Sequence, residues 1–287
     1  MYRVDSPFGL PPLLVVRERL RLFLEEDVSP GDLATDSLIP ESRVCEAVVV
    51  AKEEGILAGL PFFAETLALL DPGLEVMNHL SEGDAIASGA EVIRIRGQAK
   101  SLLSGERTAL NLLQRLSGVA TATRRMVKAM GSKKALLVDT RKTTPGLRIF
   151  EKYAVRVGGG INHRLGLYDC AMLKENHLRA AGGIEAAVSA VRRSVPFTCR
   201  VEVETKSLSE LEEALAAGAE VVMLDNFSLE QLREAVKVAK GRAILEASGG
   251  ITESTVAQVA ATGVDVISTG AMVHHAVWLD MSMLIVG

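Results

Sequence analysis

The sequence predicts an α/β protein in which a barrel of parallel strands follows a small α+β domain. Beyond residue 135, at least six short apolar runs end in polar residues and alternate with helical segments, and the last four units recur every 21, 23 and 21 residues. Such runs indicate parallel strands, because only a crossover helix returns the chain for parallel pairing. The short, even spacing favours a barrel. A wound Rossmann-like sheet stays open as the alternative, because periodicity does not determine closure.

Composition and charge exclude several classes of protein. The chain has 287 residues, 48% of them hydrophobic and 24% charged, which suits one large or two smaller globular domains. A net charge of −4 and 4% aromatic residues argue against nucleic-acid binding. Cys45, Cys170 and Cys199 are scattered, which favours buried thiols in a reducing compartment. Because no apolar stretch reaches ~18 residues and no signal-peptide pattern is present, we expect a cytoplasmic protein with no membrane partner.

The N-terminal part of the sequence predicts the α+β domain. Helices are expected at residues 17–26 and 60–70, and β-branched runs predict strands at 47–51, 74–78 and 91–96. Turn signals separate the runs, so we expect antiparallel pairing. A long helix over 99–130 leads to the repeating units. We place the domains at 1–112 and 113–287, and the last residues are free to return to the first domain.

The repeating units predict the strands and helices of the barrel. Six strands are expected, at residues 135–138, 171–173, 200–203, 221–224, 243–245 and 264–267. Two pairs match the capping box that begins many helices: Ser209 with Glu212, and Ser228 with Gln231. Three glycines match the position just after a helix end: Gly218, Gly241 and Gly263.

Charged residues follow the predicted strands, at the end of a parallel barrel where functional side chains gather. They are Arg141, Lys142, Lys174, Glu204 and Asp225. Residues 141–179 hold eight lysines or arginines and three acids, a local charge of +5 in an acidic chain. A basic segment is often only a solvated face, but cations at strand ends are well placed to bind carboxylates and phosphates. The pattern predicts a polyanionic substrate.

Two glycine-containing loops follow the last two predicted strands. They are Ser248, Gly249 and Gly250, and Thr269, Gly270 and Ala271. Glycine lets backbone N–H groups approach a phosphate, and a helix N-terminus favours an anion, so we expect phosphate binding rather than tight turns alone. Glu204 and Asp225 fit three roles: holding Mg²⁺ through water, binding ribose hydroxyls, or stabilising a positive transition state. Spacing alone leaves these roles open.

Several motifs closely resemble one enzyme family, the quinolinate phosphoribosyltransferases, in order over nearly the whole chain. The motifs are ERTALNLLQR at 106–115, DTRKTTPGLR at 139–148, EKYAV at 151–155, GGGINHR at 158–164, LKENH at 173–177, VEVE at 201–204, MLDN at 223–226 and EASGGI at 246–251. The resemblance implies an incomplete, seven-stranded TIM-like barrel with an N-terminal α+β sandwich domain. It also implies a homodimer with shared active sites, with assembly into a hexamer left open.

The reaction that the resemblance implies joins quinolinate to 5-phosphoribosyl-1-pyrophosphate with Mg²⁺ as cofactor. It releases pyrophosphate and CO₂ and gives nicotinate mononucleotide, a step of NAD biosynthesis. By the same resemblance, Arg141, His163, Arg164 and Lys174 would hold the two quinolinate carboxylates, with Arg107 arriving from the partner subunit. Thr140 would also bind substrate.

The resemblance assigns catalysis to Lys142, Glu204 and Asp225. Lys142 would lie near the departing pyrophosphate, and the two acids would face the ribose and hold Mg²⁺ directly or through water. The two glycine loops would hold the 5′-phosphate, with His274 nearby. Val273 departs from the family's usual threonine, which removes a hydroxyl from this loop.

The sequence also allows two rival interpretations. The first is a paralogous pyrophosphorylase that acts on another aromatic acid, and the intact motifs at 143–146 and 162–164 argue against it. The second is a non-catalytic barrel that binds a phosphate ligand. Loss of catalysis would be expected to erode the cations or the acids, and both sets are present.

Overall fold

The computed structural model of the chain describes residues 4–131 and 134–286. Two compact units are present. The first comprises the residues up to Arg124, Thr144–Gly159 and Ala276 onward, and the second comprises Arg125–Thr143 and Gly160–His275. The predicted boundary between residues 112 and 113 lies twelve residues before the boundary that follows Arg124, and both fall inside one continuous helix of 32 residues. Residues 1–3, 132, 133 and 287 of the predicted domains lie outside the described residues.

The elements follow the predicted order along the chain. The helices are α1 (Leu13–Val28), α2 (Leu33–Leu38), α3 (Leu60–Ala68), α4 (Ala99–Met130), α5 (Arg148–Val157), α6 (Glu175–Ala181), α7 (Ile184–Ser194), α8 (Leu208–Ala216), α9 (Leu229–Ala239), α10 (Val256–Ala260) and α11 (Ala271–His274). The strands are β1 (Val44–Ala51), β2 (Gly55–Ile56), β3 (Glu75–His79), β4 (Ala85–Ile86), β5 (Glu91–Gln98), β6 (Leu136–Val138), β7 (Ala171–Leu173), β8 (Val201–Thr205), β9 (Val221–Asp225), β10 (Ile244–Ser248), β11 (Val266–Ser268) and β12 (Met281–Ile285). Among the described helices, none is both long enough and apolar enough to cross a membrane.

The first unit is built on a four-stranded antiparallel sheet. Its strand order is β12-β1-β5-β3, so the end of the chain pairs with the first long strand. Alternate residues of β1, Ala47, Val49 and Ala51, are completely buried, as expected for a strand with one face on a core. Helix α5 belongs to this unit because Phe150 and Tyr153 pack edge-on against Phe62, with ring centroids 4.9 and 5.0 Å apart. Aromatic side chains bury enough area to decide such a placement.

The second unit is an open barrel of parallel strands. The strand order is β6-β11-β10-β9-β8-β7, so the last strand pairs with the first. On the other side of β6, Val138 forms a parallel bridge with Ile161, which supplies a seventh member. No pairing joins this bridge to β7 among the described residues, and the ring stays open there. The incomplete seven-stranded barrel is therefore confirmed. The wound sheet is excluded, because the first and last strands of such a sheet do not pair, whereas β6 and β11 do.

The helix caps agree with the sequence in one case and correct it in another. The capping box of Ser228 and Gln231 is present at the start of α9. The predicted cap at Ser209 is wrong, since α8 begins at Leu208 and Ser207 accepts the N–H of Glu210. The S-x-x-E pattern occurs twice here, offset by two residues. Because β8 runs to Thr205, the helix uses the earlier serine.

Candidate active site

A cavity of about 460 Å³ lies at the carboxyl ends of the parallel strands in the second unit. Eleven of its lining residues were predicted as site residues: Thr140, Arg141, Lys142, His163, Arg164, Lys174, Glu204, Asp225, Ser248, Gly249 and Gly250. Sequence reasoning did not select the other five: Met172, Met223, Asn226, Glu246 and Ser268. The topology thus brings cations, acids and a glycine loop from distant parts of the chain to one place.

The remaining predicted residues do not line this cavity. Gly270 lies beside it, since a Cβ placed on this glycine would come within 3.1 Å of the Lys142 side chain and 2.8 Å of the His274 ring. Thr269 is buried, and its hydroxyl donates to the carbonyl oxygen of Ile251 at 2.8 Å, which ties the two glycine loops together. Arg107 is exposed on α4 in the first unit.

Strand register explains how the acids come together. Asp225 on β9 pairs with Ser248 on β10, and Glu204 on β8 pairs with Met223 on β9. Side chains alternate between the two faces of a strand, so residues two apart point the same way. The inward face of β10 that ends at Ser248 therefore also carries Glu246. This alternation was the available signal for Glu246, and sequence reasoning missed it.

A buried aspartate holds the two loops that carry most of the cations. Asp139, at the end of β6, is completely buried. It accepts the side-chain N–H of Asn162 at 2.7 Å and the backbone N–H of His163 at 2.8 Å. Arg164 follows directly, and its guanidinium donates to the carbonyl oxygen of Cys170 at 3.1 Å. Such charge-assisted bonds give the loop a defined position beside the cavity.

The two strand-end acids differ in their partners. The Glu204 carboxylate forms an ion pair with the Lys174 ammonium group. The Asp225 carboxylate accepts the side-chain N–H of Asn226 at 3.0 Å. Both carboxylates are partly exposed and line the cavity from neighbouring strands. Carboxylate oxygens are the hard ligands that Mg²⁺ prefers, so this donor set fits a magnesium ion held directly or through water.

The glycine loop after β10 has a backbone that other residues cannot adopt easily. Gly249 has φ +102°, and a Cβ there would come within 2.2 Å of the Asn226 Oδ1 atom. Gly250 also has positive φ, and a Cβ there would meet nothing within 4 Å. Asn226 itself has φ 58° and donates its N–H to the carbonyl oxygen of Ser248 at 2.9 Å. The close packing of two loop backbones requires glycine at position 249.

His274 and Val273 lie on the short helix after the second glycine loop. Burial and the positive charges of His275 and Lys142 lower the pKa of His274, which favours the neutral imidazole near the lysine. Val273 is 1% exposed. Its apolar side chain therefore lies in the interior, where a valine is accommodated without the usual threonine hydroxyl.

A cluster of three titratable side chains lies deeper in the barrel. Nε2 of His163 is 3.2 Å from a Glu246 oxygen and 3.5 Å from a Glu202 oxygen. Burial lowers the pKa of His163, but hydrogen bonds and charges from both carboxylates outweigh it and raise the pKa to about 10. Burial also raises the pKa of Glu202, and the charge of Glu246 adds to this effect against the opposing hydrogen bond from His163. His163 and Glu202 therefore both hold a proton more firmly than they would in water.

The fold and the cavity together define a class of protein. In an α/β barrel, ligands bind at the carboxyl ends of the strands. Here that end carries two arginines, two lysines and three acids beside a glycine loop. The protein is thus a barrel protein built to bind a phosphorylated, anionic ligand, with carboxylates available for chemistry.

Comparison with known proteins makes the assignment specific. The model of the quinolinate phosphoribosyl transferase N-terminal domain matches residues 32–117, and the model of the C-terminal domain matches residues 119–284. The chain therefore belongs to the quinolinate phosphoribosyltransferase family. The predicted family resemblance is confirmed.

Relatives and solved structures agree with this family. A probable carboxylating nicotinate-nucleotide pyrophosphorylase of Synechocystis is 45% identical over 96% of this chain and 95% of its own length. A probable carboxylating nicotinate-nucleotide pyrophosphorylase of Bacillus subtilis is 44% identical over 94% and 93%. The crystal structure of NadC from Streptococcus pyogenes matches with a TM-score of 0.91 and 42% identity, over 97% of this chain and 99% of that one.

Proposed function

We propose that this enzyme joins quinolinate to 5-phosphoribosyl-1-pyrophosphate and releases pyrophosphate and CO₂, giving nicotinate mononucleotide for NAD biosynthesis. Family membership supports the reaction. The single observation that supports it most is that cations, two acids and a glycine loop line one cavity. A pyridine dicarboxylate requires the cations, a 5′-phosphate requires the loop, and a sugar carbon that becomes positive requires the acids.

The quinolinate carboxylates bind to the cations at the cavity wall. Arg141, Arg164 and Lys174 supply positive charge, and the hydrogen bonds of Arg164 to its own loop support its orientation. Guanidinium forks bind carboxylates in a bidentate manner, which orients the ring as well as holding it. The pyridine nitrogen is thereby aligned with the sugar carbon that it attacks, and alignment of this kind accelerates a two-substrate step.

The acids and Lys142 act on the transfer step. As the bond between C1 of the ribose and pyrophosphate breaks, positive charge develops on the sugar, and Glu204 and Asp225 stabilise it. Lys142 stabilises the negative charge that accumulates on pyrophosphate. Glu204 and Asp225 would also hold Mg²⁺, directly or through water, and the ion would supply positive charge against the pyrophosphate.

Decarboxylation follows from the same binding mode. Once the ring nitrogen carries the ribose, loss of CO₂ from the neighbouring carbon leaves an electron pair that the positive nitrogen stabilises as an ylide. The enzyme's part is to keep the alkylated acid in position until the bond breaks.

The assembly and location belong to the same proposal. Arg107 completes the quinolinate site of a second subunit in a homodimer, and its exposure on α4 supports this role. Assembly of such dimers into a hexamer is a further step of the same kind. The three free cysteines, Cys45, Cys170 and Cys199, support a reducing, cytoplasmic location.

Release of labelled CO₂ from carboxyl-labelled quinolinate tests the function. We expect release that depends on 5-phosphoribosyl-1-pyrophosphate, that stops when the divalent metal is removed with a chelator and that returns with Mg²⁺. Binding of 5-phosphoribosyl-1-pyrophosphate without CO₂ release would instead support a non-catalytic phosphate-binding barrel. Turnover with a different aromatic acid only would support the paralogous pyrophosphorylase.

A further inference from the structure

One polar side chain of the substrate cavity has no role in the mechanism above. Ser268, the last residue of β11, is 2% exposed and lines the cavity. Its Oγ atom is buried and forms no hydrogen bond with any other described residue. An unpaired buried hydroxyl costs free energy, and most buried polar groups in native proteins have a partner. We therefore expect the partner of this hydroxyl to be a molecule that enters the cavity.

The alternation of side chains along β11 directs Ser268 into the barrel. The first residues of β9, β10 and β11, which are Val221, Ile244 and Val266, line a second cavity of about 570 Å³ at the amino ends of the strands. Residues two apart on a strand point to the same side. Ser268 follows Val266 by two residues, so its side chain also faces the barrel interior, at the carboxyl end.

Strand register places Ser268 beside the residue that begins the first glycine loop. Ala247 on β10 pairs with Ile267 on β11, so the residues that follow them, Ser248 and Ser268, are neighbours. On the other side, Ser248 pairs with Asp225 on β9. Neighbouring strands lie about 4.8 Å apart. Ser268 is thus one strand away from the phosphate loop and two strands away from the acid that faces the ribose.

The second glycine loop begins directly after Ser268, with Thr269. The Thr269 hydroxyl donates to the carbonyl oxygen of Ile251 at 2.8 Å and accepts the N–H of Ala271 at 3.2 Å. Its hydrogen-bonding capacity is therefore used within the protein, where it connects the two loops. Of the two adjacent hydroxyls, the one on Ser268 is left for a ligand, at the floor between the loops.

The charges around Ser268 favour an anionic ligand. Val138 on β6 pairs with Ser268, and the segment that follows β6 carries Lys142. The Lys142 side chain passes close to the second glycine loop, as the position of Gly270 shows. The acid on the other neighbouring strand, Glu246, pairs with Val266 and so lies one row deeper. A hydroxyl forms a stronger hydrogen bond with a charged phosphate oxygen than with a neutral acceptor.

Building on the proposed function, we propose that Ser268 is a further phosphate-binding residue, whose hydroxyl donates to the 5′-phosphate of 5-phosphoribosyl-1-pyrophosphate. The glycine loops surround the phosphate from two sides, and the serine hydroxyl reaches it from the floor between them. The 5′-phosphate takes no part in bond making or breaking, so the hydrogen bond is the same in the ground state and in the transition state. It therefore contributes to affinity and not to kcat.

Binding of ribose 5-phosphate to the whole enzyme, measured by calorimetry, provides the first test. Ser268→Ala is expected to weaken this binding about tenfold, because a charge-assisted hydrogen bond is lost. Binding of pyrophosphate, which lacks the 5′-phosphate, should be unchanged. Equal affinities of Ser268→Ala and the wild type for ribose 5-phosphate, a loss confined to pyrophosphate, or no binding of ribose 5-phosphate by the wild type would each overturn the proposal.

Ser282→Ala is the matched control for this measurement. Ser282 also lies on a strand, β12, and its Oγ atom is likewise buried without a partner among the described residues, but it belongs to the first unit. The substitution removes the same chemical group outside the cavity, so the affinity for ribose 5-phosphate should equal that of the wild type. A loss as large as that of Ser268→Ala would show a general effect of serine removal and overturn the assignment.

Thermal unfolding and kinetics separate ligand binding from a structural role. Removing an unpaired buried hydroxyl should not lower the Tm of the ligand-free enzyme, whereas the rise in Tm with ribose 5-phosphate should shrink in Ser268→Ala. A lower Tm with unchanged ligand affinity would show a structural role only and overturn the proposal. In turnover, KM for 5-phosphoribosyl-1-pyrophosphate should rise while kcat stays the same. CO₂ release by the wild type tests the proposed function separately, because ribose 5-phosphate binding requires no turnover.

Discussion

At the scale of single residues, buried acids orient loop segments within each of the two units. Asp139 orients the loop with His163, as described above. In the first unit, Glu151 is completely buried, pairs with Arg115 at 2.7 Å and accepts both the N–H and the hydroxyl of Thr144. Within this unit, the buried pair therefore fixes the start of the segment Thr144–Gly159. Removing one member of a buried pair is far more costly than removing a surface pair.

Replacement of Lys142 by alanine tests the most important cation. We expect kcat to fall by at least about a hundredfold, because the charge of the departing pyrophosphate loses its counter-ion, while circular dichroism shows an intact fold. Lys237→Ala, an exposed lysine paired with Glu234 on α9, is the control and should keep full activity. Near-wild-type turnover by Lys142→Ala would contradict the assigned role.

Gly249→Ala tests the phosphate loop. The added methyl group would meet Asn226 Oδ1 at a backbone angle that disfavours side chains, so the loop must move. A rise in KM for 5-phosphoribosyl-1-pyrophosphate of at least about tenfold is expected, with little change for quinolinate, since ~1.4 kcal/mol corresponds to a tenfold change. Gly218→Ala also has positive φ but meets nothing within 4 Å, and it should change stability alone. Equal KM values for both variants would count against a phosphate role.

At the scale of helices and strands, local sequence patterns and the structure agree closely. Helix α4 has the predicted bounds, and β7 coincides with its predicted run. Helix α1 begins at Leu13, four residues before the predicted start at Arg17. Its first turn is entirely apolar and lacks the alternation of charged and apolar residues on which the prediction relied. The ambiguity at Ser207 and Ser209 has a similar origin: two matching patterns overlap, and only the end of β8 decides between them.

The capping box of α9 gives a quantitative prediction for one element. Ser228→Ala removes the hydroxyl that accepts the N–H of Gln231, and the free energy of unfolding is expected to drop by about 1 kcal/mol. Urea denaturation of Ser194→Ala, a serine at the end of α7, supplies the comparison and should show a smaller loss. If Ser228→Ala lost less unfolding free energy than Ser194→Ala, the cap would not contribute the predicted stability.

At the scale of the whole molecule, long-range pairing decides what the local patterns leave open. Pairing of β11 with β6 makes the barrel, and pairing of β12 with β1 returns the chain to the first unit. Helix α5, which follows the first barrel strand in sequence, packs in the first unit through its aromatic residues. A single boundary at residue 112 assigns α5 to the second domain instead, because a boundary drawn along the sequence assumes that each domain is continuous.

Mixing of inactive variants tests the proposed shared site. Arg107→Ala and Lys174→Ala should each be inactive, and after subunit exchange about a quarter of the sites would contain both intact residues. Arg141→Ala mixed with Lys174→Ala is the control, because no combination of those subunits restores a complete site. Recovery of activity only in the first mixture is expected. Its absence, with exchange verified by mass spectrometry, would show that Arg107 does not act across subunits.

The sequence by itself determined most of the elements, the family and most of the residues around the cavity. These follow from local periodicity, turn chemistry and motif identity, which are properties of neighbouring residues. Only the tertiary structure decided the pairing of β11 with β6 that makes the open barrel, the placement of α5 in the first unit and the deep cluster of Glu202 and Glu246 around His163. Those features depend on which distant strands pair and on the face toward which each side chain points. Two carboxylates placed together cost free energy mainly when they are buried, and burial is known only from the tertiary structure.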